Sequence, residues 1–91
     1  MAEIDVTRSG PDEFRVEVTE GGTSTLHQVT VTGGDLDAFG GGTPETLVEE
    51  SFRFLLEREP KESILRRFEL PVIARYFPEY PEEIRRRLGA E

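Results

Sequence analysis

The chain has a single histidine, His27, and no cysteine, so side chains able to carry out nucleophilic or metal chemistry are scarce. Without cysteine there is no thiolate nucleophile, no disulfide and no cysteine-ligated metal site. His27 lies in phase with Val29 and Val31 in a β-branched segment, on the half-buried face of a predicted strand. A metal site would need acids such as Asp35 and Asp37 beside it, and no spacing fixes that geometry. We therefore predict a structural histidine bonded to a carboxylate or carbonyl, with no metal and no cofactor.

A glycine-rich stretch, Gly33–Gly42, precedes a helix start, where backbone N–H groups can hold an anion. Pro44 removes one of those N–H donors, and Asp35, Asp37 and Glu45 add negative charge without any base in the loop. The glycine spacing of a phosphate-binding loop is also missing. These features predict a flexible connection between strand and helix, with no small-molecule site.

The arginine run Arg85-Arg86-Arg87 is the main indication of nucleic-acid contact. Glu82 and Glu83 precede Arg86 and Arg87 by four residues, which is the favourable orientation for ion pairs on a helix surface. The same spacing recurs at Glu49–Arg53, Glu57–Lys61 and Glu62–Arg66. With a formal net charge of −8, the protein also repels phosphate backbones at long range. We predict internally compensated arginines, and nucleic-acid binding through them is the alternative.

An aromatic cluster, Tyr76-Phe77-Pro78-Glu79-Tyr80-Pro81, places three aromatic residues beside two prolines and one acid. Amphipathic aromatic side chains are favoured at protein interfaces, and a short helix cannot bury both of its faces. We therefore predict Tyr76, Phe77 and Tyr80 as partner-binding residues. The alternative is that these three side chains complete a small core.

The length of 91 residues indicates one domain, 1–91, divided into a β-meander (1–32), a glycine-rich loop (33–43) and a helical part (44–91). Apolar stretches of two or three residues are far too short to span a bilayer, so we expect no membrane partner. A signal peptide typically has a basic region followed by an apolar run, and the N-terminal residues do not show this pattern. We expect a cytoplasmic protein.

Alternating apolar and polar residues predict three strands, at about 2–7, 13–19 and 23–32. Short turns join them at Ser9–Asp12 and Glu20–Gly22, which favours an antiparallel meander with one dry face. Leu36 and Phe39, in the loop that follows, are expected to hold that loop against the core.

The residues Thr43-Pro44-Glu45 predict the N-terminus of a helix that ends near Glu57 or Arg58. Its apolar arc is about 200° wide, broader than the roughly 100° that one surface covers, so we expect burial on two sides. The prolines that follow predict three short helices, at about 60–68, 71–77 and 81–88, with Gly89 ending the last. The predicted fold class is α+β, a three-stranded antiparallel meander packed on one long helix followed by short C-terminal helices.

The order of three strands, a glycine-rich turn and a helix beginning Thr43-Pro44-Glu45-Thr46-Leu47-Val48 resembles the HicB-type antitoxin fold over about half the chain. A similar helix start occurs in OsmC-like peroxidases, whose activity implies cysteines that this chain lacks. The segments Glu62–Phe68 and Tyr76–Pro81 are similar to the ends of small uncharacterised bacterial α+β proteins of unknown function. None of these resemblances implies a site residue.

We therefore expect a non-catalytic interaction or regulatory module that binds a protein partner or self-associates, through the aromatic cluster or an open sheet edge. Two alternatives are a nucleic-acid-binding regulator that uses the C-terminal arginines and a small enzyme with carboxylate and tyrosine acid–base chemistry.

Overall fold

The chain folds into an α+β structure in which helices cover one face of a mixed β-sheet. The computed structural model describes residues 2–40 and 42–89. The described residues form, in chain order, β1 (Glu3–Arg8), β2 (Glu13–Glu20), β3 (Thr23–Thr30), α1 (Gly33–Phe39), α2 (Pro44–Leu56), a 3-10 turn (Lys61–Ser63), β4 (Arg67–Glu69), α3 (Val72–Tyr76) and α4 (Tyr80–Gly89).

The first three strands pair antiparallel in sequence order, close to their predicted positions. Val6, Val16 and His27 are register neighbours across the three strands, so their side chains share the inner face. Gly21 and Gly22 connect β2 to β3, and both have positive φ angles, of 66° and 83°. Two consecutive residues of this conformation make the tight hairpin turn that matches strand twist, which explains the glycine pair.

A fourth strand extends the sheet, which corrects the predicted three-stranded, purely antiparallel meander. β4 lies beside β3 in parallel orientation, with Val29 opposite Phe68. The Gln28 N–H donates to the Arg66 carbonyl at 2.7 Å, and the Leu70 N–H donates to the Thr30 carbonyl at 3.0 Å. The helix predicted over 60–68 is therefore wrong. Only the 3-10 turn of that segment is helical, because the backbone after it bonds to β3 instead of to itself.

The region predicted as a glycine-rich loop contains α1. Thr32 forms a reciprocal cap with Asp35: its side-chain oxygen accepts from the Asp35 N–H at 3.1 Å, and its own N–H donates to the Asp35 carboxylate at 3.0 Å. These two bonds satisfy exposed donors at the helix start and offset the poor helix propensity of Gly33 and Gly34. As expected, the first helix is held to the core through Phe39, which is buried.

The long helix α2 begins as predicted, with the Thr43 side chain accepting from the Thr46 N–H at 3.2 Å, and it ends at Leu56. Its broad apolar surface is buried on two sides. Phe52 packs against Phe68 of the sheet at a ring distance of 6.0 Å, and Phe54 packs against Tyr80 of α4 at 5.2 Å. The sheet and α4 therefore bury the two sides of α2, as the width of its apolar arc predicted.

The C-terminal helices α3 and α4 begin within one residue of the predicted prolines. Gly89 is still part of α4, and the chain beyond it lies outside the described residues. The buried apolar side chains of strands and helices join in one connected core.

Candidate functional site

An apolar groove opens between the C-terminal end of α2, the segment before β4, and α3. Its volume is about 310 Å³. The walls include Leu55, Ile64, Leu65, Phe68, Tyr76 and Phe77. The groove thus takes its apolar surface from elements that follow one another along residues 55–77.

The five-residue helix α3 explains why one wall of the groove is exposed. Ile73 points into the core and is 3% exposed, while Tyr76 at the helix end is 66% exposed. Across the groove, Leu65 is 46% exposed because the backbone there runs towards β4 and directs Ile64 inward instead. Large exposed apolar residues are few in the described chain, and Leu65 and Tyr76 share this one groove. A clustering of this kind is typical of interaction surfaces.

Glu59 lines the groove beside these apolar residues, and partial burial raises the pKa of its carboxyl group. Within residues 2–40 and 42–89, no basic group lies within ion-pair distance of this carboxylate. Its neighbour Arg58 turns away and pairs with Glu79, with 2.9 Å between Nε and the carboxylate oxygen. Arg75, on α3 next to Tyr76, is exposed and likewise makes no ion pair with any described acid. The groove therefore has one uncompensated acid in its wall, and Arg75, which precedes the lining residue Tyr76 in sequence, is an uncompensated base on α3.

Tyr80, one of the three residues predicted to bind a partner, is fully buried and does not belong to this surface. Its ring lies 5.3 Å from Phe39 and 5.2 Å from Phe54. Its hydroxyl lies 2.6 Å from the Ser51 hydroxyl, which itself donates to the Leu47 carbonyl at 2.7 Å. Since Ser51 has one hydrogen to give, Tyr80 donates to Ser51. Tyr76 and Phe77 line the groove, and Tyr80 completes the core.

His27 is buried in the sheet and holds the groove wall in place. Its Nδ1 lies 2.8 Å from the Leu65 carbonyl oxygen, and its Nε2 lies 2.8 Å from the Thr25 hydroxyl. A carbonyl only accepts, so Nδ1 carries the hydrogen and Nε2 accepts from Thr25. Burial, together with the nearby positive charge of Arg66, lowers the pKa of His27. This is the carbonyl-bonded sheet histidine that the sequence indicated, and the described residues contain no cluster of acids and histidine able to hold a metal.

The arginines of the C-terminal run are held by protein groups. Arg86 and Arg87 both contact Glu83, Arg87 Nη2 also lies 2.6 Å from Glu57, and Arg85 donates to the Ala38 carbonyl at 3.0 Å. The internal compensation predicted for this run is therefore present for Arg86 and Arg87, although Glu83 replaces Glu82 as the partner of Arg86. Arg85 bonds to a neutral carbonyl instead of an acid.

The other predicted ion pairs form only where the chain is an α-helix. The predicted Glu49–Arg53 pair forms on α2 at 2.8 Å. Lys61 instead donates to Glu62 and to the Thr23 hydroxyl, each at 2.8 Å. The four-residue spacing failed here because the segment after Pro60 is not an α-helix.

The sequence analysis did not identify Glu59 and Leu65 as members of the surface, because it placed Leu65 inside the predicted helix over 60–68 and Glu59 just before that helix. The 3-10 turn at Lys61–Ser63 has no sequence signal strong enough to compete with the helical pattern of that segment.

Comparison with known proteins finds no match to any family model, to any curated protein or to any solved structure. The resemblance to HicB-type antitoxins stays a prediction. Among the residues that the structure describes, no helix combines the length and apolar character needed to cross a bilayer.

Proposed function

We propose that this protein is a non-catalytic interaction module whose docking site is the groove between α2 and α3. The occupant is a protein segment that inserts a large apolar side chain beside Tyr76 and places a positive charge against Glu59. The observation that carries this proposal is the pairing of the exposed Leu65 and Tyr76 side chains across one apolar groove.

The size of the groove supports a side-chain anchor. A volume of about 310 Å³ is sufficient for one or two large side chains. Protein interfaces concentrate their binding energy in a few such anchors, surrounded by contacts that exclude water. Tyr76 also offers a hydroxyl and an apolar ring on a two-torsion side chain, so little conformational entropy is lost when it is covered.

The charge of the groove supports the positive group in the occupant. Glu59 lacks a basic partner among the described residues, and enclosing it without one would leave a carboxylate in an apolar environment at considerable cost. A lysine or arginine next to the inserted apolar residue removes that cost. The nucleic-acid alternative has less support, because two of the three arginines in the C-terminal run, Arg86 and Arg87, pair with Glu57 or Glu83.

Selection from a displayed library of short random peptides tests this proposal. The selected peptides should combine a large apolar residue with an adjacent lysine or arginine. The Tyr76→Ala and Leu65→Ser variants should each weaken their binding by about tenfold or more, as measured by fluorescence anisotropy. Leu26→Ser is the matched control, because Leu26 is 44% exposed but lies on the open face of the sheet.

Two results would overturn the proposal. One is that the library yields no peptide that binds the wild-type chain. The other is that the selected peptides bind Tyr76→Ala and Leu65→Ser as tightly as they bind the wild-type chain.

A further inference from the structure

We infer that the occupant of the groove is a second copy of the same chain, in a two-fold symmetric dimer. In this dimer, Tyr76 of each copy enters the groove of the other copy, and Arg75 of each copy faces Glu59 of the other. The inference rests on the proposed function and names the partner.

Symmetry requires one surface to carry both halves of the contact, and this surface does. In a two-fold dimer the same patch meets itself, so a projecting group and its receptor must lie side by side. Tyr76 projects from the end of α3 with 66% of its surface exposed, and the groove that it borders is lined by Leu65 and Phe68. Each copy thus provides an aromatic anchor and a recess for the anchor of its partner.

The charges at the same place are complementary under that symmetry. Glu59 lies in the wall of the groove and Arg75 immediately precedes Tyr76 in α3, so insertion of Tyr76 brings Arg75 of one copy towards Glu59 of the other. Neither residue makes an ion pair with a charged group inside the described part of its own chain. Two identical contacts then form per dimer, and each neutralises an acid that closure of the groove would otherwise leave unpaired.

Two other charged groups of this region are already engaged. Arg58 is bonded to Glu79, with 2.9 Å between the paired atoms, and Lys61 is bonded to Glu62 at 2.8 Å. Arg66 makes no ion pair with a described acid, but it lies next to Leu65 in the segment before β4 and not on α3, which carries the inserting side chain. Arg67 points away from the groove, because Phe68 beside it faces the core and successive residues of a strand face opposite sides. Arg75 is thus the free base next to the inserting side chain.

Charge exchange tests the two-fold contact directly. Sedimentation velocity, at about 0.15 M salt to screen the net negative charge, should show a concentration-dependent dimer of the wild-type chain. Glu59→Arg and Arg75→Glu should each weaken the homodimer by about 100-fold or more, because each change places like charges together twice per dimer. An equimolar mixture of these two variants should recover the dimer, since both contacts then join opposite charges.

Two matched variants control for general effects of charge. Glu17→Arg and Arg67→Glu make the same changes on the open face of the sheet, away from the groove, and should remain dimeric. Far-UV circular dichroism of all four variants checks that each is folded. Tyr76→Ala should also be monomeric, without any change of charge.

The outcomes separate this inference from the proposed function. A wild-type chain that stays monomeric up to about 0.5 mM, yet binds selected peptides through Tyr76 and Leu65, overturns the second copy as occupant and leaves the docking function intact. A dimer that survives Glu59→Arg, Arg75→Glu and Tyr76→Ala uses another surface and also overturns the inference. Failure of both dimerisation and peptide binding removes the docking function as well.

Discussion

Tyr76 and Tyr80 belong to one short aromatic segment, yet their surroundings are opposite. Tyr80 is fully buried among Phe39 and Phe54, with its hydroxyl bonded to Ser51. Tyr76 is 66% exposed at the border of an apolar groove. The difference does not come from residue type or sequence neighbourhood. It comes from what each helix packs against: α4 lies against both α1 and α2, whereas the exposed side of α3 has no cover among the described residues.

The charged residues repeat this contrast. Around the closed aromatic cluster (Phe39, Phe54 and Tyr80), Arg58 stacks 3.6 Å above the ring of Phe54 and also pairs with Glu79. Around the groove, Glu59 and Arg75 have no such partners among the described residues. The comparison indicates that the segment divides into a half that is packed in the core and a half that leaves Tyr76 exposed beside the groove. The following four measurements test this division.

Truncation of the two tyrosines should give the largest difference. Tyr80→Ala should lower the free energy of unfolding by about 3–5 kcal/mol, because it leaves a cavity in a closed part of the core. Tyr76→Ala should change it by less than about 0.5 kcal/mol, as is usual for an exposed side chain. Urea denaturation followed by circular dichroism measures both values. Similar losses of stability for the two variants would contradict the distinction between a buried Tyr80 and an exposed Tyr76.

The Tyr80–Ser51 hydrogen bond should show a directional effect. Ser51→Ala should lower the free energy of unfolding by about 1–3 kcal/mol, because it leaves the buried Tyr80 hydroxyl without an acceptor. Tyr80→Phe should cost less, about 0.5–1.5 kcal/mol, because Ser51 still donates to the Leu47 carbonyl. A double-mutant cycle measured by denaturation gives the coupling. If Tyr80→Phe proved the more damaging change, the assigned direction of donation would be wrong.

His27 should make the groove wall sensitive to acid. Its pKa is lowered in the folded chain by burial, so near and below pH 6.5 the unfolded chain takes up a proton that the folded chain does not. Stability is therefore complete above that pH and falls as the pH decreases, by up to about 1.4 kcal/mol per pH unit until the folded-state pKa is passed. Denaturation midpoints from pH 7.5 to 5 measure this loss. His27→Gln is the non-titrating reference, and equal pH dependence in both proteins would contradict the prediction.

Removal of two arginines from α2 and its C-terminal end should give the smallest difference. Arg58→Met should lower the free energy of unfolding by about 0.5–1 kcal/mol, because the stacking over Phe54 is lost with the charge. Arg53→Met is the matched control. Arg53 pairs only with Glu49 and Glu50 on the exposed side of α2, so we expect a loss of about 0.5 kcal/mol or less. Thermal denaturation compares the stability losses of the two variants. Equal losses would show that Arg58 does not stabilise the closed aromatic cluster through its stacking on Phe54.

The meander and the start of α2 could be predicted because their signals are local. Alternation along β2 places Phe14, Val16 and Val18 on one face whatever the rest of the chain does, and Thr43 with Pro44 marks a helix start by its own chemistry. The course of residues 60–70 could not be predicted in this way. β4 has only three residues, too few for a period, and its conformation is set by bonds to the distant β3.

The candidate site divides in the same manner. The aromatic segment was visible in the sequence, and Tyr76 and Phe77 do line the groove. Which tyrosine is exposed depends on how α3 and α4 pack, and sequence periodicity in helices of five and ten residues does not determine that. Glu59 joins the groove only because the chain turns at Lys61–Ser63, which is a tertiary outcome.

The parallel strand pairing also has a kinetic consequence. Contacts within the meander are local and close quickly, whereas His27 and Leu65 meet across 38 residues of chain that include α1 and α2. The entropy of closing such a long loop favours late attachment of β4. Because Leu65 and Phe68 lie at this junction, we expect the groove to form only when folding is nearly complete. A nascent or partly unfolded chain in which β4 has not paired then lacks the groove, so the docking that we propose would be restricted to fully folded molecules.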